Sequence, residues 1–355
     1  MKQARSVPKT APAWLGVLGA LALSVPVQAA QPQLTVVQVT NTSGACGGIF
    51  YPSIDALGHH VAFTSFCDLT GQNPDQNGEL FAMNADGSNL RQLTFSTGSF
   101  SQNVSINPLG TRIVFASNVD LIPGENADGN SEIFTIHFDG THLRQLTHTT
   151  GGDLAAWGGC AHPSYSPSGH KILFSSDRDL VAGGNTGGDY ALFLMNADGT
   201  DLVQLPNSAG GWDGNLGPGG RVVFTSGEDL IPGENTDGNG EIFTMRVDGS
   251  DLKQLTHSTG FIGNAAPRFS ANGKTIAFRS DVDLVGSNPG LNYQVFRMNS
   301  DGSHLVQLTW ASGGFTTTWD ISPDGKTVAV NSDQDFVPGS NSDHSFEFFL
   351  FTLVP

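Results

Sequence analysis

Three loops of the chain share one spacing of oxygen-bearing side chains, Asn-x-Asp-x-Asn-x-Glu. Calcium prefers such carboxylate and amide oxygens and takes about six to eight of them. The spacing is not that of an EF-hand, because the glycine comes early and no bidentate glutamate follows at the right distance. Asn and Asp in loops also cap their own backbone, so turn chemistry is the alternative to a calcium site. The three copies are Asn126, Asp128, Asn130 and Glu132; Asn235, Asp237, Asn239 and Glu241; and Asn73, Asp75, Asn77 and Glu79.

Recognised catalytic motifs are absent from the sequence. It contains no G-x-S-x-G nucleophile elbow, no H-E-x-x-H zinc helix and no phosphate-binding glycine loop followed by lysine. An acid–base cluster would still form if the fold brought together His162, Asp213, Arg268 and Asp320. Arg268 and Asp320 are expected to pair, either to close the structure or to recognise a polar ligand or peptide end. Calcium is the one cofactor for which the sequence offers a candidate site.

Internal repeats supply the elements that must position these residues. An apolar strand recurs six times, ending at Phe63, Phe115, Phe174, Phe224, Phe278 and Val330. The spacings are 52, 59, 50, 54 and 52 residues. Each unit is predicted to form four short strands, with an Asp-Gly hairpin before the fourth strand in five of them. Four-stranded units about 50 residues apart predict an all-β fold, with residues 30–355 forming a single six-bladed β-propeller domain.

The two ends of the chain predict how the ring closes. The sixth unit stops before its fourth strand, and QLTVVQVTNTSG at 33–44 matches the fourth-strand motif of the other units. We therefore expect the N-terminal strand to complete the last blade, beside residues 345–353. Closure of this kind leaves no open sheet edge.

The first strand of each blade lines the central channel, and alternate residues face it. Apolar residues at the ends of these strands are expected to pack between blades, which turns their neighbours inward. One predicted channel layer is Ser53, Ser105, Ser164, Asn215, Arg268 and Asp320. The second, nearer the mouth, is Tyr51, Asn103, His162, Asp213, Ala266 and Thr318.

Residues 1–29 have the pattern of a cleavable Sec-type secretory signal. A basic start and an apolar stretch at 14–25 precede Val27-Gln28-Ala29, which fits the small-x-small cleavage rule. The stretch is too short to span a bilayer, and no later segment approaches the required length. We therefore expect a protein exported to the periplasm or the medium, with no membrane span.

The net charge limits the partners. The formal charge of −17 becomes −20 once Lys2, Arg5 and Lys9 of the signal are removed. An acidic surface repels phosphate backbones, so we expect no nucleic-acid partner. The acidity alternatively serves only to keep a β-rich protein soluble. We expect a monomer that binds a protein or peptide of the cell envelope.

One face of the ring collects the irregular features. This wide face carries the loops that join second to third strands and fourth to first strands. Cys46 and Cys67 both fall there and are the favoured disulfide pair, which leaves Cys160 unpaired. An enlarged loop at 151–163 adds Trp157 near the channel mouth. An exposed Trp157 would anchor a partner or a sugar ring, and packing over the adjacent blade is the alternative.

The repeat resembles that of the TolB-type propellers, a family with WD40-like repeats. The likeness rests on a Pro-Ser-aromatic-Ser-Pro hairpin, Ser-Asp-x-Asp, an apolar third strand, Asp-Gly and Leu-x-Gln-Leu, and is best at 163–205 and 322–333. It implies the six-bladed fold but specifies function weakly, because this propeller also occurs fused to hydrolases and inside lyases. We expect no counterpart of the α/β domain that precedes the propeller of TolB, which argues against membership of the Tol–Pal assembly.

Three hypotheses follow for function. The leading one is a non-catalytic protein- or peptide-binding or scaffolding module of the cell envelope, because catalytic motifs are lacking. The second is a carbohydrate- or peptide-active enzyme that uses the central channel, and contact between His162 and Asp213 in one pocket would favour it. The third is a surface protein stabilised by calcium in its acidic loops.

Overall fold

A computed structural model describes residues 33–42, 46, 48–97, 101–150, 159–259 and 263–354. Within these ranges the one helical element is a 3-10 turn at Pro218–Gly220. The strands form six four-stranded sheets. The fold is therefore the predicted six-bladed β-propeller. The predicted signal segment, 1–29, lies outside the described residues.

The strands follow one another blade by blade. The first strand, β1, is Leu34–Gln38. Blade one comprises β2 (Ile49–Ile54), β3 (His60–Ser65), β4 (Glu79–Asn84) and β5 (Arg91–Gln92), and blade two comprises β6 (Ser101–Ile106), β7 (Arg112–Ser117), β8 (Glu132–His137) and β9 (Arg144–Gln145). Blade three comprises β10 (Cys160–Tyr165), β11 (Lys171–Ser176), β12 (Ala191–Asn196) and β13 (Val203–Gln204), and blade four comprises β14 (Trp212–Leu216), β15 (Arg221–Ser226), β16 (Glu241–Arg246) and β17 (Lys253–Gln254). Blade five comprises β18 (Asn264–Phe269), β19 (Thr275–Ser280), β20 (Gln294–Asn299) and β21 (Val306–Gln307), and blade six adds β22 (Thr316–Ile321), β23 (Thr327–Ser332) and β24 (Glu347–Leu353).

The predicted closure of the ring is confirmed. Strand β1 pairs antiparallel with β24, so that Val36 lies opposite Phe351, and blade six has the order β1-β24-β23-β22. The amide of Val39 continues the ladder with a 2.8 Å hydrogen bond to the carbonyl of Phe348. Both ends of the described chain thus contribute to one sheet, in which β1 supplies the fourth strand and pairs with β24.

A buried phenylalanine pair forms the centre of each of the first five blades. The two rings come from the second and third strands, lie opposite one another in the register and stack with centroids 5.7 Å apart. In blade six the pair is Val330 and Phe349. Burial of such a side chain stabilises the fold by about 1.5–3 kcal/mol. The pairs are Phe63 with Phe81, Phe115 with Phe134, Phe174 with Phe193, Phe224 with Phe243, and Phe278 with Phe296.

Apolar clusters also join neighbouring blades. Ile106 of blade two, for example, packs in one cluster with Ala62 and Leu80 of blade one. This agrees with the prediction that the apolar ends of the inner strands lie between blades. In the described part of the chain, no helix has the length and apolarity needed to cross a membrane.

Candidate functional site

The mouth layer of the channel is built from β-bulges. The pairing of the first two strands shifts register there in blades one to five, and one residue of each bulge has a positive φ of 51° to 54°. Left-handed backbone in a residue with a Cβ costs on the order of 1–3 kcal/mol, so the surrounding sheet must enforce it. In blade six the register shifts between Thr318 and Asp320, without a left-handed residue. The five left-handed residues are Tyr51, Asn103, His162, Asp213 and Ala266.

The other predicted layer joins each blade to the next. In all six interfaces one of its side chains bonds to the backbone of a neighbouring inner strand, which closes the ring. Four of its members, Ser53, Ser105, Asn215 and Asp320, also line a cavity of about 110 Å³ at the narrow end of the channel. Four members accept a hydrogen bond from a backbone amide: Asp320 Oδ2 from Ile54 (3.2 Å), Ser53 Oγ from Ile106 (3.1 Å), Ser105 Oγ from Tyr165 (3.2 Å) and Asn215 Oδ1 from Phe269 (2.9 Å). The other two donate to a backbone carbonyl: Ser164 Oγ to Gly214 (3.1 Å) and Arg268 Nε to Trp319 (3.1 Å).

Arg268 bonds to backbone carbonyls instead of to the carboxylate of Asp320. Its guanidinium donates to the carbonyls of Trp319 (3.1 Å), Pro267 (2.9 Å) and Asp213 (3.4 Å). Asp320 accepts hydrogen bonds from Ser53 and from two backbone amides. Burial raises the pKa of Asp320, although these hydrogen bonds and the nearby charge of Arg268 oppose that shift. The expected direct pair is therefore not formed. Arg268 bonds to backbone carbonyls, Asp320 bonds to Ser53 and backbone amides, and the two groups interact only through their charges.

His162 and Asp213 are in direct contact. Nδ1 of His162 meets Oδ1 of Asp213, and the His162 side chain is 24% exposed while that of Asp213 is 4% exposed. Burial alone would raise the pKa of the Asp213 carboxyl. The charges of His162, Arg268 and Arg279 outweigh burial and hold that pKa well below its usual range. Asp213 is therefore an anion that fixes the orientation of the His162 ring and leaves Nε2 as its second polar atom.

A pocket of about 460 Å³ opens beside this pair on the wide face, between blades three and four. Trp212 and Tyr190 supply aromatic walls, and the indole of Trp212 lies 6.5 Å from the His162 ring, centroid to centroid. Asp189 and Glu228 are exposed at its rim. The pocket thus combines an aromatic interior with two carboxylates, a combination that suits a cationic side chain.

Tyr51 and Asn103 complete the mouth layer as the sequence predicts. The Tyr51 ring packs edge-on against Trp319 with centroids 4.6 Å apart. Burial and the nearby charge of Asp213 raise the pKa of Tyr51 to about 12, although Arg279 lowers it. Tyr51 therefore has a neutral hydroxyl at ordinary pH.

Asn103 is buried, and among the described residues its Oδ1 has no hydrogen-bond partner.

The predicted calcium loops are held together by their own hydrogen bonds. Asn235 and Asn239 are buried, and their amide groups donate to the carbonyls of Asn239 (3.0 Å) and Ser258 (3.0 Å). In blade two the amide group of Asn126 donates to the carbonyl of Asn130, and that of Asn130 donates to the hydroxyl of Thr149. The carboxylates of Glu132 and Glu241 accept hydrogen bonds from the segment after the fourth strand. Asp128 and Asp237 are exposed. Within the ranges described, no three His, Cys, Asp or Glu side chains lie close enough to hold a metal ion. Calcium binding remains a prediction, to be tested by calorimetric titration of the chelated protein.

The remaining sequence candidates lie around the wide face. The structure places a disulfide between Cys46 and Cys67, whose Cα atoms are 4.9 Å apart, and it leaves Cys160 buried as a free thiol. Burial raises the pKa of that thiol to about 12, so it is unreactive at neutral pH. Trp157 and most of its loop lie outside the described residues.

Arg279 is a site residue that sequence reasoning missed. It lies in β19, with its guanidinium carbon 5.0 Å from the ring centre of Tyr293 and 5.1 Å from that of Phe315. The sequence repeat could have indicated Arg279, because the equivalent residues of the other blades have smaller side chains. Those positions are Thr64, Ala116, Ser175, Thr225 and Asn331.

No family model and no curated protein sequence matches the chain. Among solved structures it is similar to a putative TolB from Agrobacterium tumefaciens at 18% identity, with a TM-score of 0.53, over 86% of this chain and 90% of that one. It is similar to TolB from Acinetobacter baumannii at 17% identity, with a TM-score of 0.52, over 84% of this chain and 64% of that one, so it spans less than two thirds of that protein. A gluconolactonase from Xanthomonas campestris is similar at 12% identity, with a TM-score of 0.55, over 92% of each chain.

These likenesses establish the fold. The class that fold and site define is a six-bladed β-propeller with an Asp–His pair at the mouth of its channel. Within this class the chain resembles the TolB-type propellers, as the sequence repeat predicts. Because a gluconolactonase has a similar fold, the fold does not choose between binding and catalysis.

Proposed function

We propose that the protein is an exported, non-catalytic propeller of the bacterial envelope that binds a protein or peptide segment at its wide face. The observation that carries this proposal is the pocket between blades three and four, with its aromatic walls and acidic rim. Aromatic faces and carboxylates together attract lysine and arginine side chains. The bound segment is therefore expected to be basic, and the acidic charge of the whole chain favours its approach. Export rests on the predicted signal segment.

The use of the channel side chains supports binding over catalysis. One channel layer is used to join the blades, and Arg268 donates three hydrogen bonds to backbone carbonyls. Groups fixed in this way are poorly suited to bond to a substrate, whereas the rim residues Asp189 and Glu228 are exposed. The wide mouth is thus the surface on which a partner has polar groups to meet.

The proposal is tested by measuring which peptides the protein binds. A pool of random heptapeptides is passed over the immobilised protein, and bound peptides are identified by mass spectrometry. We expect enrichment of lysine- and arginine-containing peptides, and about three- to tenfold weaker binding by the double variant Asp189→Asn, Glu228→Gln, since each exposed charge pair contributes about 0.2–1 kcal/mol. The matched control, Asp237→Asn with Glu234→Gln, removes the same charge from the exposed loop of blade four. Equal weakening by both variants would show that the effect comes from the overall charge of the protein and not from the pocket. Absence of binding to the unaltered protein would overturn the proposal.

A second candidate function is acid–base catalysis, which the contact between His162 and Asp213 favours. A carboxylate that orients an imidazole leaves Nε2 available as a general base in the adjoining pocket. His162→Asn is a conservative test, because Asn103 has the same backbone conformation in blade two. Turnover of glycan, lactone or peptide substrates by the unaltered protein, lost in His162→Asn, would establish catalysis and displace the binding proposal.

A further inference from the structure

We infer that the wide mouth recognises the free carboxylate at the C-terminus of a peptide, through the Arg279 guanidinium, which packs against Tyr293 and Phe315. This inference rests on the proposed peptide-binding function and deepens it. It names the end of the peptide that is recognised and the residue that recognises it.

Arg279 is held by contacts with two aromatic rings. Its guanidinium carbon lies 5.0 Å and 5.1 Å from ring centres that are themselves 5.3 Å apart, so it packs against one side of the ring pair. Among the described residues this guanidinium has no hydrogen bond and no ion pair, in contrast to Arg268, which has three hydrogen bonds. These ring contacts leave the N–H groups of the guanidinium without a hydrogen-bond partner among the described residues, so they can bind a carboxylate.

The fold itself does not require an arginine at this position. The five equivalent residues of the other blades are small and buried. Arg279 is the only long side chain in this column of the repeat and is partly exposed. Arg279 thus departs from the structural repeat and makes no hydrogen bond among the described residues, although its charge also acts on Asp213. Recognition of a negatively charged group is the role that fits its chemistry.

A line of half-buried aromatic rings continues from Arg279 around the mouth. Phe315 lies 6.0 Å from Phe346, Phe346 lies 5.0 Å from Phe50, and Phe50 lies 5.6 Å from Phe66, measured between ring centroids. We call these four residues the aromatic wall. It spans blades six and one and offers apolar contact next to the Arg279 guanidinium. A chain terminus that carries apolar side chains behind its carboxylate matches this arrangement.

Charge explains why a peptide terminus fits better than a free anion. The chain has a formal charge of −17, which disfavours binding of inorganic anions by charge alone. A carboxylate on an apolar segment gains contact with the aromatic wall in addition to the bond with Arg279. The acidic rim of Asp189 and Glu228, on blades three and four, would hold a basic residue of the same peptide.

The experiment compares two heptapeptide pools that differ in one group. Both pools are random in sequence, and one ends in a free carboxylate while the other ends in an amide. Each is applied to the unaltered protein, to Arg279→Thr and to Arg246→Gln, and bound peptides are quantified by mass spectrometry. Threonine is the residue that blades one and four have at the same position, so this variant keeps the fold. Arg246 is the matched control because it is exposed and paired with Asp251 on an outer hairpin.

We expect the unaltered protein and Arg246→Gln to prefer the free-acid pool at least tenfold, with apolar final residues enriched, and Arg279→Thr to lose that preference. Equal capture of the two pools would overturn this inference and leave the proposed peptide binding intact. Arg279-dependent capture of amidated peptides with internal Asp or Glu would assign the site to a side-chain carboxylate and overturn the assignment to the terminus. Failure to capture either pool would overturn both proposals.

Discussion

The interior and the mouth of the ring use charged side chains in opposite ways. Inside, Glu241 accepts four hydrogen bonds and Arg268 donates three. At the mouth, Arg279 makes none among the described residues, and the rim carboxylates of Asp189 and Glu228 are exposed. A buried polar group needs hydrogen-bond partners within the fold, whereas a group that binds another molecule must be accessible to it. The pattern of hydrogen bonds therefore separates residues that maintain the fold from residues available for recognition.

The largest expected effect comes from removing an interior carboxylate. Glu241→Ala would leave donors from Thr256, Ser258 and Asn264 without their acceptor, and we expect a loss of about 3–5 kcal/mol in the free energy of unfolding. Glu241→Gln should lose only about 1 kcal/mol, because blade five has Gln294 in this position. Urea unfolding of both variants measures the difference. Equal losses would show that the carboxylate charge, and not the hydrogen bonds, is what blade four requires.

Removing the interior arginine should have a somewhat smaller effect. Arg268→Met would leave the carbonyls of Trp319, Pro267 and Asp213 without this donor, and we expect a loss of about 2–4 kcal/mol. Arg246→Met, which removes an exposed pair with Asp251, should change stability by less than about 1 kcal/mol. Thermal unfolding compares the two variants. An unchanged melting temperature in Arg268→Met, together with loss of peptide binding, would show that Arg268 acts in recognition and not in maintaining the fold.

Sequence patterns predicted the architecture because the repeat records it directly. The six apolar strands ending from Phe63 to Val330, and the strand at 33–44 that replaces a missing partner, give the number of blades and the way the ring closes. Alternation along each inner strand predicted the two channel layers, although the register shifts at the bulges interrupt that alternation.

The details of the site depend on tertiary contacts that alternation does not encode. Tyr51, Asn103, His162, Asp213 and Ala266 share a left-handed bulge. Asn, His and Asp adopt this conformation more readily than most residues, so it is at Tyr51 and Ala266 that the sheet must impose it. Arg268 bonds to backbone carbonyls that sequence does not bring into view, which is why its direct pairing with Asp320 was wrong. Arg279 was accessible to sequence reasoning, since one long cationic residue stands in a column of smaller side chains.

Acidification should separate the two buried carboxylates. The pKa of Asp213 is held below its usual value, so its contribution to stability is present above about pH 4 and is lost as the pH falls toward the pKa of the folded state. We expect the free energy of unfolding to fall between about pH 6 and pH 3 by about 1 kcal/mol more in the unaltered protein than in Asp213→Asn.

Asp320→Asn provides the control for this titration. Burial raises the pKa of Asp320, so its contribution is present at low pH and is lost as the pH rises through the pKa of the folded state. Relative to the unaltered protein, Asp320→Asn should therefore become more stable as the pH rises, whereas Asp213→Asn should become less stable. Parallel curves for all three proteins would mean that neither carboxyl differs in pKa between the folded and unfolded states.

The smallest expected effect on stability is at the mouth. Arg279→Thr removes two cation–π contacts at a partly exposed site, and we expect a change of less than about 1 kcal/mol in urea unfolding. The same variant is expected to lose the preference for free-acid peptides, so that binding and stability change independently. A loss comparable to that of Arg268→Met would mean that Arg279 maintains the seam between blades five and six. The contrast between hydrogen-bonded charged groups in the interior and accessible charged groups at the mouth would then not hold for Arg279.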